Sequence, residues 1–258
     1  MSESLFDVKD KVVFVTGGSR GIGFMIAKAY VRAGAHVYIC SRNSGVCDEA
    51  AAGLGKLGEC ASLPADLSQM SEIERVCLEL QTRESGLDVL VNNAGTTWGS
   101  SLPSFPEKGW DKVISLNLKS PFFLIQSFLE MLAAKATKGD PTRVINIGSV
   151  DGLRTPLWDN YSYSVSKAGL HHLTKTLATP LARRHVNINS IAPGPFVTDM
   201  MAPMIESMGE ERISEKVLLQ RLGVYEDMAG VSLFFGARAS AYITGTILPV
   251  DGGMTAAI

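Results

Sequence analysis

Cysteine is scarce and unpaired. The four cysteines, Cys40, Cys47, Cys60 and Cys77, lie far apart with no Cys-x-x-Cys, and none of the four histidines stands near them at zinc-ligand spacing. That argues against a disulfide framework and a metal site, so the thiols are expected to be reduced and mostly buried. Charge of one sign is lacking too. The chain has 24 Lys and Arg against 26 Asp and Glu, a formal net charge of -2, which leaves no basic footprint for nucleic acid. No apolar run reaches the ~20 residues of a membrane span, and the mixed, acidic stretch from Met1 to Lys11 has no signal-peptide core. A soluble, cytoplasmic protein with neither a nucleic-acid nor a membrane partner is expected. With 46% apolar and 19% charged residues, the 258-residue chain is not disordered and can bury a large core as one domain, 1–258.

Short buried strands alternate with amphipathic helices along the whole chain. Lys11 to Thr16, His36 to Cys40, Cys60 to Pro64, Leu87 to Val91, Arg143 to Ile147, Val186 to Ile191 and Thr246 to Val250 read as strands. Ile73, Val76, Cys77 and Leu80 give one intervening helix a single apolar face. No repeat, low-complexity segment or linker interrupts the pattern. It predicts an α/β fold, a single-domain doubly wound parallel sheet of Rossmann-like form. The first strand runs into Thr16-Gly17-Gly18-Ser19-Arg20-Gly21-Ile22-Gly23. These glycines allow a tight turn and close approach to a ligand, and the following helix aims its N-terminus at a pyrophosphate. The spacing is not the strict G-x-G-x-x-G fingerprint. The second strand delivers Ser41-Arg42-Asn43, where an acid would accept the ribose hydroxyls of NAD; with Arg20 in the glycine loop, a hydroxyl and two guanidinium groups suit a 2'-phosphate.

Tyr163 and Lys167 stand four apart, one turn of a helix, so an ammonium could lower the phenol's pKa and make it a proton donor near neutrality. Ser149 ends the fifth strand, at the sheet edge where ligands of open α/β sheets bind. Trp110 to Ala134 reads as one long helix, apolar nearly all round, interrupted by Pro121, whose missing N–H deprives the Asn117 carbonyl of its ordinary partner. Water or a side chain should fill that gap, and the helix should kink between Asn117 and Pro121 with the Asn117 carbonyl directed toward Lys167. The methionines Met200, Met201, Met204 and Met208 suggest an adaptable lid over about residues 195–222, and Trp98 adds apolar bulk near the site.

Taken in order, Thr16-Gly-x-x-x-Gly-x-Gly23, Asp66-Leu67, Asn92-Asn-Ala-Gly95, Asn117, Ser149, Tyr163-x-x-x-Lys167, Pro193-Gly194, Ile243-Thr-Gly245 and Asp251-Gly-Gly253 resemble the short-chain dehydrogenase/reductase family over Lys11 to Met254. Asn92 to Gly99 and Arg143 to Ser149 look most like bacterial 3-oxoacyl reductases, including the rhamnolipid-linked one. The resemblance implies a ketone reductase in which Tyr163 gives the proton, Ser149 holds the carbonyl oxygen, Lys167 tunes the phenol and holds the cofactor ribose, and Asn117 keeps a relay water. It implies NADP(H) held by Gly17, Ser19, Arg20, Gly21, Ile22 and Gly23, by Ser41, Arg42 and Asn43, by Asp66 and Leu67, by Asn93, Ala94 and Gly95, by Tyr163 and Lys167, and by Pro193, Gly194, Phe196 and Thr198. The substrate is expected to be a hydrophobic ketone or its alcohol, an acyl thioester among the choices. Two alternatives stand beside this: an NAD-dependent alcohol, steroid or sugar dehydrogenase, and a non-catalytic nucleotide sensor. Assembly as a homotetramer, through the apolar Trp110 helix, is implied as well. Tyr225 departs from the family's usual proline, and Pro180 takes a position where an acidic residue is common, which touches the expected shape of the lid and of an inter-subunit helix.

Overall fold

The computed structural model describes residues 5–156 and 158–256. Seven parallel strands, β1 Val12–Thr16, β2 His36–Cys40, β3 Cys60–Ser62, β4 Val89–Asn92, β5 Thr142–Ile147, β6 Val186–Pro193 and β7 Ile247–Val250, form one sheet in the order β3-β2-β1-β4-β5-β6-β7. Residues in β1, β4, β5 and β6 are buried throughout, the outcome expected of β-branched runs covered on both faces. Helices α1 Gly21–Arg32 and α2 Ser44–Gly55 lie on one face, where Ile26, Tyr30 and Leu54 pack on Val13, Val15 and Ile39. Helix α3 Met70–Arg83 lies on the other, where Ile73 and Leu80 join Phe14, Leu90 and Val144. The strand order reverses between β1 and β4, so a crevice opens at the carboxyl ends of those strands. No helix among the described residues is long and apolar enough to cross a membrane.

The long helix expected from Trp110 is divided. Helix α4, Glu107–Ile114, passes through a π turn at Ser115–Lys119 into α5, Ser120–Lys135. Pro121 lacks the N–H that would have continued the α-helical ladder, and the wider turn is how the chain accommodates the gap. Nor is the helix buried all round: Leu124, Phe128 and Leu132 face the core, whereas Trp110 and Phe122 are exposed. Helix α2 starts at Ser44, where Asn43 Oδ1 accepts from Val46 N at 3.2 Å and caps it.

After β5 come a short 3-10 turn at Val150–Gly152 and helix α6, Tyr161–Ala182, which contains Pro180 in its last turn. The stretch following β6 is not irregular throughout. It folds into two short helices, α7 Ala202–Met208 and α8 Glu210–Ser214, around Gly209 at φ 81°. Its base is pinned by Gly223 N donating to Pro195 O at 2.9 Å and by a bridge between Phe196 and Gly223. Tyr225 opens helix α9, Tyr225–Gly236, without disturbing it, and its ring lies 5.0 Å from Lys28 Nζ. Leu157 and the chain ends lie outside the described residues.

Candidate active site

A cavity of about 1020 Å³ opens at the carboxyl edge of the sheet, at the upper end of the ~300–1,000 Å³ typical of ligand pockets. One end is bounded by the glycine loop. Gly17 sits at φ 65°, and a Cβ built on it would lie 2.7 Å from Asn93 Nδ2; a Cβ on Gly23 would lie 2.2 Å from the Gly17 carbonyl oxygen. Glycine is required at both positions by close approach, and at Gly17 by the left-handed backbone as well. Asn93 explains the approach: its Nδ2 donates to Thr16 O at 2.9 Å and Gly17 O at 3.2 Å, tying the loop to β4. Thr16 completes the tie. Its Oγ1 accepts from Asn93 N at 2.9 Å and Ala94 N at 3.0 Å while donating to Val91 O at 3.1 Å. The sequence reading missed Thr16 as a scaffold of the site, although a threonine between a strand and a glycine loop is the available signal.

Ser19, Arg20, Gly21 and Ile22 line the cavity, as do Ser41, Arg42 and Asn43 beyond β2 and Leu67. Asp66 lies in an adjoining recess of about 280 Å³ that it shares with Arg42 and Lys112. Gly23 is buried beneath the loop and shapes it without facing the cavity. The first turn of α1 holds no acidic residue, so its free N–H groups face the cavity uncontested by a side-chain carboxylate. Arg20 Nη1 is 3.9 Å from Asp199 Oδ2, both well exposed. Asn93, Ala94 and Gly95, then Pro193, Gly194, Phe196 and Thr198, close the remaining strand ends.

The other three catalytic candidates meet on one wall. Ser149, Tyr163 and Lys167 all line the cavity, the serine from the end of β5 and the other two from one face of α6. Ser149 Oγ accepts from Asp151 N at 3.1 Å, which caps the 3-10 turn. Lys167 is buried, and its Nζ donates to Ile147 O at 2.7 Å while lying 5.6 Å from the centre of the Tyr163 ring. Burial pulls Lys167 down to about 8.

The expected tuning of Tyr163 is corrected by the free protein. Desolvation pushes the phenol up to about 12; the Ser149 hydroxyl acts in the opposite sense and the Asp151 carboxylate in the same one. Spacing places Lys167 one turn away, but the direction of the shift is set by loss of water around the phenol.

Asn117 is buried behind this wall rather than in it. Its Oδ1 accepts from Thr96 N at 2.9 Å, and its Nδ2 donates to Thr96 O at 2.9 Å and Ser166 Oγ at 3.1 Å. The side chain is thus committed to scaffolding, and the π turn puts the residue whose carbonyl Pro121 deprives of its α-helical partner beside Gly95 and Ser166. Trp98 does not reach the cavity. It packs against Gly109 of α4 with Lys112 Nζ 5.4 Å from its ring, and Trp158 supplies the indole in the wall instead.

Residues 11–209 match the family model described as short chain dehydrogenase. The chain is 42% identical to the rhamnolipids biosynthesis 3-oxoacyl-[acyl-carrier-protein] reductase of Pseudomonas aeruginosa, covering 96% of this chain and 97% of that one. It is 35% identical to the 3-oxoacyl-[acyl-carrier-protein] reductase FabG of Chlamydia pneumoniae, over 95% of this chain and 97% of the other. Among solved structures, the Pseudomonas aeruginosa RhlG/NADP active-site complex superposes with a TM-score of 0.94 at 42% identity, covering 97% and 98% of the two chains. The chain belongs to the short-chain dehydrogenase/reductase family of oxidoreductases and is related to 3-oxoacyl reductases.

A nicotinamide dinucleotide fits the residues present. The glycine cradle that an added Cβ would fill, the unopposed start of α1 and the buried Lys167 ammonium are features a bound pyrophosphate and ribose would use.

Proposed function

We propose that this chain is an NADP(H)-dependent reductase of hydrophobic ketones, 3-oxoacyl compounds among them. The observation that carries the reading is the convergence of Ser149, Tyr163 and Lys167 on one cavity wall, opposite a glycine cradle flanked by Arg20 and Arg42. When bound, the reduced cofactor supplies the hydride. Tyr163 holds its proton at neutral pH because burial raises its pKa, and delivers it to the carbonyl oxygen as that oxygen becomes an alkoxide, a much stronger base than the phenolate. Ser149 Oγ donates a hydrogen bond to the same oxygen and so favours the developing charge. Lys167 stabilises the phenolate left behind, and Asn117, fixed to Thr96 and Ser166, holds the region from which the proton is restored. Ser41 and Arg42, with Asn43 where an acid would favour NAD, suit a 2'-phosphate, in keeping with the NADP named for the Pseudomonas complex. The exposed Trp110 and Phe122 on α4 and α5 suit assembly as a homotetramer, which light scattering tests.

The deciding experiment follows oxidation of NADPH and NADH with ketones and 3-oxoacyl thioesters of graded chain length. Turnover is expected with a kcat/KM at least about ten-fold higher for NADPH, since a charge-assisted phosphate contact contributes roughly 1.5 to 3 kcal/mol. Equal values for both cofactors would overturn the NADP assignment, and no turnover with any ketone would overturn the reductase reading.

A further inference from the structure

The substrate side of the cavity contains a guanidinium that the chemistry above does not use. Arg154 follows the 3-10 turn after Ser149, with its backbone N donating to Val150 O at 3.0 Å, and its side chain lines the cavity. Its donors are poorly met. Among the described residues Nε is buried without a partner, and Nη2 has only the thioether of Met254, at 3.4 Å. The nearest carboxylate among the described residues, Asp151 Oδ1, is 3.9 Å away, beyond hydrogen-bond range, while Asp151 Oδ2 accepts from Asn160 Nδ2 at 3.3 Å. Arg221 shows what a satisfied guanidinium looks like here: its two terminal nitrogens donate to both oxygens of Asp227, at 2.6 and 2.8 Å. A thioether is a weak acceptor, so Arg154 retains most of a planar fork suited to an oxyanion. Trp158, Met204, Met208 and Lys216 line the same cavity.

We propose that Arg154 is a specificity-determining residue that holds an anionic oxygen group, carboxylate or phosphate, carried by an otherwise apolar ketone substrate. The assignment rests on the reductase reading and names its substrate class. An oxyanion would give the accessible terminal nitrogens of the fork the acceptors that Met254 cannot, in a cavity whose apolar walls strengthen the pair.

The test uses two matched pairs of substrates, a 3-oxo fatty acid against its methyl ester and a 3-oxoacyl 4'-phosphopantetheine thioester against the pantetheine thioester. In each pair only the anionic group differs. For the wild-type protein, kcat/KM is expected to be at least ten-fold higher for the anionic member of one pair, and Arg154→Met should cut that ratio at least ten-fold, mainly through KM. Arg154→Lys, which keeps the cation without the fork, should give an intermediate ratio. An effect confined to the free acid assigns a carboxylate, and one confined to the phosphopantetheine pair assigns a carrier phosphate. Wild-type ratios within two-fold of unity for both pairs overturn the proposal whether or not the variants fold, as does a ratio that survives Arg154→Met. If none of the four compounds is reduced, the reductase reading itself fails; reduction of all four without preference overturns only the role of Arg154.

Discussion

At the end of the cavity beside β1 the wall is backbone, whereas on the substrate side it is side chains. The glycine loop, the Thr16 hydroxyl and the Asn93 carboxamide come from residues adjoining two neighbouring strands, tied by hydrogen bonds and by contacts that leave no room for a Cβ at Gly17, Gly18 and Gly23. On the substrate side, Arg154, Trp158, Met204, Lys216 and Met254 come from segments far apart in the chain, and Arg154 meets Met254 across 100 positions. A backbone-built wall holds one shape for one invariant ligand part. A wall of methionines and long cations can be re-shaped, as recognition of variable substrates requires.

The strongest way to break this contrast acts at the seam between the halves. Tyr163→Phe removes the transferable proton and little else, so kcat should fall about a hundred- to ten-thousand-fold while cofactor binding, followed by fluorescence titration, stays nearly unchanged. Near-normal turnover in that variant would remove Tyr163 from its role.

A pH series tests the same helix from below. His171 is buried, and among the described residues neither ring nitrogen has a partner in good hydrogen-bond geometry; desolvation, then Lys167, pull it down to about 4 against a weaker opposing contact with the Gly152 backbone. Below pH 6.5 the unfolded chain takes up a proton that the folded chain refuses until about pH 4, so this contribution to stability is intact above pH 6.5 and is lost as the pH falls toward 4. The loss amounts to about 3 kcal/mol. Urea midpoints at pH 7.5 and 4.5 should show it, and His171→Leu should flatten that part of the acid limb; identical pH dependence in the two proteins would contradict the assignment.

The contrast itself is sharpened by pairing Gly23→Ala with Met204→Ala. The first drives a methyl into the Gly17 carbonyl and should cost about 1 to 3 kcal/mol along with cofactor affinity. The second, at a half-buried lid position, should cost under about 1 kcal/mol and alter KM for long substrates instead. Equal stability losses in thermal melts would mean that the two walls are equally rigid. At Arg42→Ala the NADPH over NADH preference should drop about ten-fold, one charge-assisted contact; an unchanged ratio would shift the phosphate to Arg20 alone.

This division also explains what was legible in the sequence. Strands buried on both faces announce themselves as β-branched runs, and Thr16 to Gly23 and Asn92 to Gly95 carry their meaning within a few residues. The line from Tyr163 to Lys167 was readable as geometry but not as electrostatics, since spacing says which groups are neighbours and not how much water each loses. Trp98 was expected near the site and Trp158 lines it instead, because which indole faces the cavity depends on how α4 seats against the loop before it. Arg154 stood in a loop with no pattern around it, and its unmet donors exist only once Met254 is brought beside it from the chain's other end.

The π turn at Ser115–Lys119 has a consequence for how the helices around it are clocked. An α-helix turns about 100° per residue, so one surplus residue sets the wheel of α4 out of phase with that of α5 by about that angle. Val113 is buried on the α4 wheel and Asn117 in the turn grips Thr96 and Ser166, while Leu124, Phe128 and Leu132 keep another phase, toward the sheet. Removing a single residue between Ser115 and Lys119 would force both onto one wheel. Either the core stripe of α5 or the carboxamide grip on Thr96 would then have to rotate away.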